Sequence, residues 1–387
     1  MLYRYVVVCV LVVSTALTVV QCICSAAGVE KGLVILVDFP DVKPSMAREQ
    51  VMRRFSKQLD AYVREMSYGN VWLAVDVTRK WHTMPEDVSH YKISSRNLEV
   101  DKSRVRKLID DALDAVDKDV DLSGYSFVAL VMAATLKDYG MIGLCGYPGM
   151  LGWSADGVLT TRSGNPVKGV AIFCYQAHLG TLFHDVAHIL GGVKDGKRLV
   201  PCLYDHDLQA KPGPMRETFL DSIINMGFWD PMSCHYRERR MGPPGISSWT
   251  KMRLGWLDQL KIKLVQPGEE SEIVLGPLEE GSSPVLAIKL PVSATTYYLV
   301  ENRQPIGFDR NLPGSGVLVM YADDNIPECR HGKAPVKLVN ADPSIAHLEG
   351  AAFDIGKTDF YEDEANRVRI RLKEKIRNSY RILVNRR

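Results

Sequence analysis

The segment from Thr181 to Leu190 reads TLFHDVAHIL, with two histidines four residues apart in an apolar run and a carboxylate, Asp185, directly after the first. Positions i and i+4 share one face of an α-helix, so His184 and His188 can present two imidazoles to a single metal ion. Neutral imidazole suits zinc. A carboxylate in this position has the chemistry of a general base toward a metal-activated water. The spacing alone is common, however, and two histidines on a helix are more often surface residues or satisfied core residues than ligands.

The elements around this pair can be read from periodicity. VAIFCY (170–175) is a strand pattern that delivers the chain into the histidine helix, and Gly191 and Gly192 stop that helix. Upstream, LVILVDF (33–39) reads as a strand. A helix over 45–66 places Val51, Met52, Phe55, Leu59, Tyr62, Val63 and Met66 on one face, and SYGNVWLAVDVT (67–78) turns at Gly69 into a second strand. A helix over 102–117 groups Val105, Leu108, Ile109, Ala112, Leu113 and Val116, and FVALVMAA (127–134) is a buried strand. The stretch 139–169 is rich in glycine and reads as loops with an edge strand. Strands alternating with helices predict an α/β (α+β) layer structure with a mixed sheet. After Leu257 the pattern changes to short strands, SEIVL, VLAIKL, TYYLV, GVLVMY, VRIRL and YRILV, with no helix. An all-β region of sandwich type is expected there.

With 387 residues, 46% hydrophobic and 24% charged, the chain has ample material for a buried core. A formal net charge of +2 without a long basic run gives nucleic-acid binding no support. Residues 1–27 combine a short basic start, an apolar stretch from Val6 to Val20 and small residues at Ser25 and Ala27, which reads as a secretory signal. A retained N-terminal membrane anchor is the second reading. The protein is therefore expected outside the cytoplasm, secreted or membrane-anchored. Beyond residue 27 stand Cys145, Cys174, Cys202, Cys234 and Cys329. Five thiols allow two disulfides and one unpaired cysteine, or one disulfide with metal-bound or buried thiols. The run DKDVDLS (117–123) lacks the glycine and glutamate of a calcium loop and reads as a polar turn.

Downstream of the histidines lie LVPCLYD (199–205), GFWDPMS (227–233) and PPGISSWTKMRLGWL (243–257). This ordered set resembles the M6 family of metallopeptidases, the immune inhibitor A group, whose pattern is HEFGHxLGLPDLYD, WDLMS and PxxxSAWEKxRLGWL. KGLVILVDFPDV, SYGNVWL and YYLVENRQPIGFDRNLPGSGVLV (297–319) are similar to further segments of that family, so the resemblance spans nearly all of the chain beyond the leader. It implies a zincin-like metalloprotease domain over 28–257, with a mixed sheet and an active-site helix, followed by a C-terminal β domain over 258–387.

The resemblance also implies roles. His184 and His188 match the two zinc-binding histidines, and Met232 matches the methionine of the supporting turn beneath the metal. Trp229, Asp230 and Trp249 are framework positions. The family's third ligand is an aspartate six residues after the second histidine, where this chain has Lys194, a cation that cannot serve. If GVKDGKR is an insertion, VPCLYD aligns with LPDLYD and Cys202 takes the ligand position, with Asp205 as the alternative. Asp195 and His206 also stay open, and Cys202 could instead pair with Cys234. Asp185 replaces the family's glutamate and is one methylene, about 1.5 Å, shorter. Losing a well-placed base costs about 100-fold to 10,000-fold in rate. His178 and His235 flank the site and could contact substrate, although surface histidines are commonplace. Two functions follow from the resemblance. One is a secreted zinc-dependent endopeptidase acting on protein or peptide substrates with Asp185 as base. The other is a catalytically inactive zinc-binding relative used in surface recognition or scaffolding.

Overall fold

A computed structural model describes residues 28–118 and 120–386, so the leader at 1–27, with its cleavage and anchor readings, lies outside the described residues. In chain order the strands of the first sheet are β1 (Gly28–Asp38), β2 (Val71–Val77), β3 (His82–Thr83), β4 (Phe127–Met132), β5 (Gly143–Tyr147) and β6 (Val170–Cys174). They lie in the order β2, β1, β4, β6, β5, with β3 beside β1. Neighbours run parallel except β5, which is antiparallel to β6 and closes the sheet as an edge strand.

Both faces of this sheet are covered, as a largely parallel sheet requires. Leu33, Ile35 and Val37 of β1 point into one core with helix α2 (Lys102–Asp114), while Val34 and Leu36 point into the other. That second core holds helix α1, the run 48–66, and helix α3 (Leu179–Gly191). Within α1 a π-helical turn, Arg54–Leu59, separates two α-helical pieces. The wider turn keeps Val51, Phe55 and Leu59 aligned toward the sheet and leaves Met52, expected on the same face, 37% exposed.

Among the described residues, the region after Leu257 contains no α-helix, only single 3₁₀ turns among the strands. Its strands are β7 (Ile262–Leu264), β8 (Glu269–Leu275), β9 (Ala287–Pro291), β10 (Thr296–Arg303), β11 (Gly316–Asp323), β12 (Val336–Leu338), β13 (Phe360–Asp363), β14 (Val368–Ile376) and β15 (Ser379–Arg386). One sheet is β7-β9-β10-β11-β12 and the other β8-β15-β14-β13. All six expected strands form. The additional β7, β12 and β13 are three or four residues long, too short for a pattern to stand out in the sequence.

The two sheets enclose a shared core through Tyr298, Val300, Val317 and Val319 on one side and Ile370, Leu372, Ile382 and Val384 on the other. The intervening residues of β10 and β11, Tyr297, Leu299, Leu318 and Met320, face the opposite way and join the core of the first sheet. The β-rich region is thus fused to the α/β region through one sheet that is buried on both faces. Arg303, fully buried, ties this seam together. Its guanidinium donates to both oxygens of Asp309 (2.6 and 2.8 Å), to Glu301 (3.0 Å) and to the carbonyls of Trp229 and Gly245.

Candidate metal centre

Helix α3 carries both histidines. His178 caps its start by accepting from the Gly180 amide at 3.0 Å, and Gly192, with φ +68°, ends it. His178 therefore serves as a cap. Leu182, Phe183, Val186, Ala187 and Ile189 anchor the helix in the core. Gly180 lets the segment after the Met232 turn lie against the helix, because a Cβ there would stand 1.9 Å from the His235 carbonyl oxygen.

His184, His188 and Cys202 converge in a buried cluster capable of holding a metal ion. His184 Nδ1 lies 2.9 Å from the Pro231 carbonyl oxygen, and His188 Nδ1 lies 2.6 Å from that of Val200. A carbonyl only accepts, so both Nδ1 atoms carry protons. Burial lowers the pKa of both imidazoles, His188 especially, so the rings are neutral and each Nε2 is a bare lone pair. Both lone pairs point at one sulfur: Cys202 Sγ is 3.5 Å from His184 Nε2 and 3.4 Å from His188 Nε2. A thiol has a single proton and cannot satisfy two acceptors.

A shared cation would satisfy all three groups. Tetrahedral bonds of about 2.3 Å to sulfur and about 2.0 Å to nitrogen would put sulfur and nitrogen about 3.5 Å apart, close to both observed separations. The surroundings also favour thiolate. Burial opposes ionisation of Cys202, but the His206 imidazole, the Arg198 guanidinium and the Tyr204 hydroxyl outweigh it and lower the thiol pKa. Tyr204 Oη lies 3.3 Å from the sulfur, and Arg198, only 5% exposed, lies 3.9 Å away. Although burial disfavours its charge, Cys202, Cys145 and Glu328 keep that guanidinium protonated.

The supporting layer consists largely of backbone. In the turn 229–233, the Pro231 carbonyl orients His184, and the Met232 carbonyl accepts from the Leu203 amide at 2.8 Å, next to Cys202. Met232 itself is fully buried in the core. Asp230 fixes the turn by accepting from the Met232 amide, the Ser247 amide and hydroxyl, and the Thr250 hydroxyl at 2.6–2.9 Å. The ligand loop is braced from the β-rich region as well: the Cys329 carbonyl accepts from the His206 amide, and the Gly332 amide donates to Asp205.

Of the remaining third-ligand alternatives, Asp205 and Asp195 are placed elsewhere, whereas His206 keeps a buried Nε2 without a hydrogen-bond partner among the described residues. Asp205 caps the short helix His206–Gln209 by accepting from the amides of Asp207 and Leu208. His206 Nδ1 contacts the Asn97 side-chain amide. Asp195 sits at the tip of a hairpin formed by Val193–Lys194 and Lys197–Arg198, exposed and with φ +51°. No disulfide forms among Cys145, Cys174, Cys202, Cys234 and Cys329, which corrects every pairing the sequence allowed, Cys202 with Cys234 included. Asp117 and Asp121 of the polar turn are taken up by local bonds to Ser163, Asn165 and Ser123.

Asp185 follows His184 and faces the same cavity, which encloses about 730 Å³ and is also lined by all three cluster residues. Its Oδ2 is buried with no hydrogen-bond partner among the described residues. Burial pushes its carboxyl up to about 7, against the opposing pull of His184. His235 is a further unsatisfied group, alongside Arg198 Nε, His206 Nε2 and Gln209 Oε1 on the same cavity wall. Its ring meets His184 edge-on with centroids 4.5 Å apart, its Nδ1 lies 3.0 Å from the Thr181 hydroxyl, and its Nε2 is buried without a partner. Burial holds this imidazole neutral as well. In the sequence, its position after the turn is the one signal that marks it. Arg198 and Tyr204 had no signal as site residues, the first because it sits in what reads as a solvated insertion.

No protein-family model matches the chain, and no curated protein matches it.

Proposed function

We propose that the protein is a zinc-dependent endopeptidase of the M6, immune inhibitor A type, with a zincin-like domain and an exported, extracytoplasmic location. The observation that carries the reading is the convergence of two Nε2 lone pairs and the Cys202 sulfur on one point inside a cavity. Two nitrogens and one sulfur suit zinc, and three protein ligands beside a cavity match an open catalytic site better than a closed structural one. Zinc, when bound, supplies a Lewis acid and makes water a usable nucleophile near neutral pH.

The chain's own residues would then divide the work. His184, His188 and Cys202 hold the ion, with the carbonyls of Pro231 and Val200 fixing the imidazole orientation. Asp185 Oδ2, without a competing partner, accepts the proton of the attacking water and returns it to the leaving amine. A hydroxyl proton from Thr181 directed at His235 Nδ1 leaves the proton of the neutral ring on Nε2, which can then donate to the carbonyl oxygen as it gains charge. Strand β5 lines the cavity at the end of the sheet, where an extended peptide can add as a further strand.

The test is metal analysis of the purified protein together with cleavage of a mixed-peptide substrate, for the parent, His188→Ala and Asp185→Glu. Stoichiometric zinc and cleavage that His188→Ala abolishes are expected. Zinc without cleavage in the parent, with cleavage appearing in Asp185→Glu, would favour the non-catalytic zinc-binding reading. That alternative rests on the shorter aspartate arm. Absence of zinc would sink both.

A further inference from the structure

The chain as a whole is nearly balanced, with 48 basic and 46 acidic residues. The wall of the metal-centre cavity is not. Seven Lys and Arg side chains line it against two carboxylates, Asp185 and Glu328. Some of these cations are already neutralised: Arg96 by Glu99 at 3.0 Å, Arg237 by Glu349 at 2.9 Å, and Arg330 by Asp207 at 3.2 Å. Lys102, Lys211 and Arg216 are different. All three are exposed, and among the described residues none forms an ion pair.

Two of the three also stand where helix stability disfavours them. Lys102 opens α2, and Arg216 lies in the first turn of the helix Met215–Ser222. The start of a helix carries partial positive charge and is stabilised by acidic groups, so a cation there adds to an unfavourable field. Asp101 is engaged by the amides of Ser103 and Arg104 and by the Arg104 guanidinium, while Glu217, in the first turn beside Arg216, offsets part of that field without forming an ion pair with it among the described residues. Positive charge gathered at a cleft rim from separate elements, without internal partners, attracts anionic ligands.

We propose that the cleft selects polypeptide segments bearing Asp or Glu side chains, with the exposed Lys102, Lys211 and Arg216 of its wall receiving the carboxylates. The inference rests on the peptidase reading only in calling that peptide a substrate; its binding preference stands without turnover. An ion pair at an exposed rim contributes modestly, so three such contacts together give about a tenfold preference at low salt, fading as salt screens them.

The experiment uses the full-length protein loaded with zinc and fluorescently labelled twelve-residue peptides of Glu and Ala or of Gln and Ala, titrated by anisotropy at low and high salt. About tenfold tighter binding of the Glu peptide is expected at low salt, falling at high salt and removed by the double variant K211E/R216E. Equal binding of the two peptides, binding of neither, or an undiminished preference in the double variant overturns the proposal. A parallel digest of a randomised peptide mixture, with cleavage sites mapped by mass spectrometry, separates the two readings. Cleavage with no acidic enrichment overturns the substrate class and leaves the peptidase intact. Glu-selective binding without cleavage does the reverse.

Discussion

Gly143 on edge strand β5 stands directly against Asp185: a Cβ at position 143 would lie 2.9 Å from Asp185 Oδ2 and 2.6 Å from the Thr181 methyl. Gly143 is not in the left-handed region, so what the position requires is space. The missing side chain lets the strand that would align a peptide and the carboxylate that would take its proton approach each other.

Gly143→Ala should therefore displace the Asp185 carboxylate while leaving the three-residue cluster intact. A shift on the order of 1 Å at a catalytic group costs about 100-fold in rate. We expect peptide-cleavage kcat to fall by about that factor with zinc stoichiometry unchanged, measured by steady-state kinetics and metal analysis on the same preparation. An unchanged kcat would remove Asp185 from the role of base.

Cys202 distinguishes this centre from an all-histidine or carboxylate site. Cys202→Ala leaves the two Nε2 lone pairs without their sulfur partner and should weaken zinc binding by more than the roughly 10-fold to 100-fold typical of an outer-shell change. Cys202→Asp, which restores an anionic ligand, should recover part of it. Competition with a chromogenic chelator measures both. Because a ligand that binds only the folded state stabilises it, chelation should also lower the melting temperature of the parent and leave that of Cys202→Ala unmoved.

Much of this site was legible in the sequence, but for different physical reasons at different residues. Helix periodicity puts His184 and His188 on one face, but only the ordered motifs downstream made them ligand candidates, while the strands of the first sheet follow from runs such as FVALVM, all six residues of which are buried. Cys202 depended on aligning VPCLYD across an apparent insertion. Spacing could not separate it from Asp205, since only the fold shows that Asp205 turns into a helix cap. Arg198 reads as part of a solvated turn, yet the hairpin folds it inward beside Glu328 at 3.6 Å, a contact between distant parts of the chain. The rim cations of the cavity likewise come together only in three dimensions, from residues that each look like ordinary surface.

His235 offers a test of the division of labour in the cleft. His235→Phe keeps a ring of similar size but removes the Nε2 donor, so zinc content should hold while kcat falls by about 100-fold to 1,000-fold, the usual cost of one oxyanion donor. His235→Gln, with a side-chain amide able to donate, should recover part of the loss. If both variants lose zinc in parallel with activity, the residue supports the ligands instead.

The seam between the α/β and β-rich regions holds a buried cation whose titration can be read as stability. Lys251 is 2% exposed, donates to the Met66 carbonyl and sits 4.3 Å from the centre of the Tyr68 ring. Burial pushes its pKa down from 10.5 to about 8, a shift opposed by Asp309, Glu279 and Glu301 and reinforced by Arg303. Between those two values the unfolded chain binds more protons than the folded one, so stability rises with pH through that window, and the full penalty is present below about pH 8. At about 1.4 kcal/mol per pH unit the penalty amounts to roughly 3 kcal/mol. Tyrosines nearby titrate too, so the comparison must be with Lys251→Met, in which they are retained. Denaturant unfolding of both proteins from pH 7 to 10.5 should show the parent gaining about 3 kcal/mol relative to the variant, with most of the change above pH 8. A difference that stays flat across that range would mean that the ammonium reaches water and that the seam is looser than its packing implies.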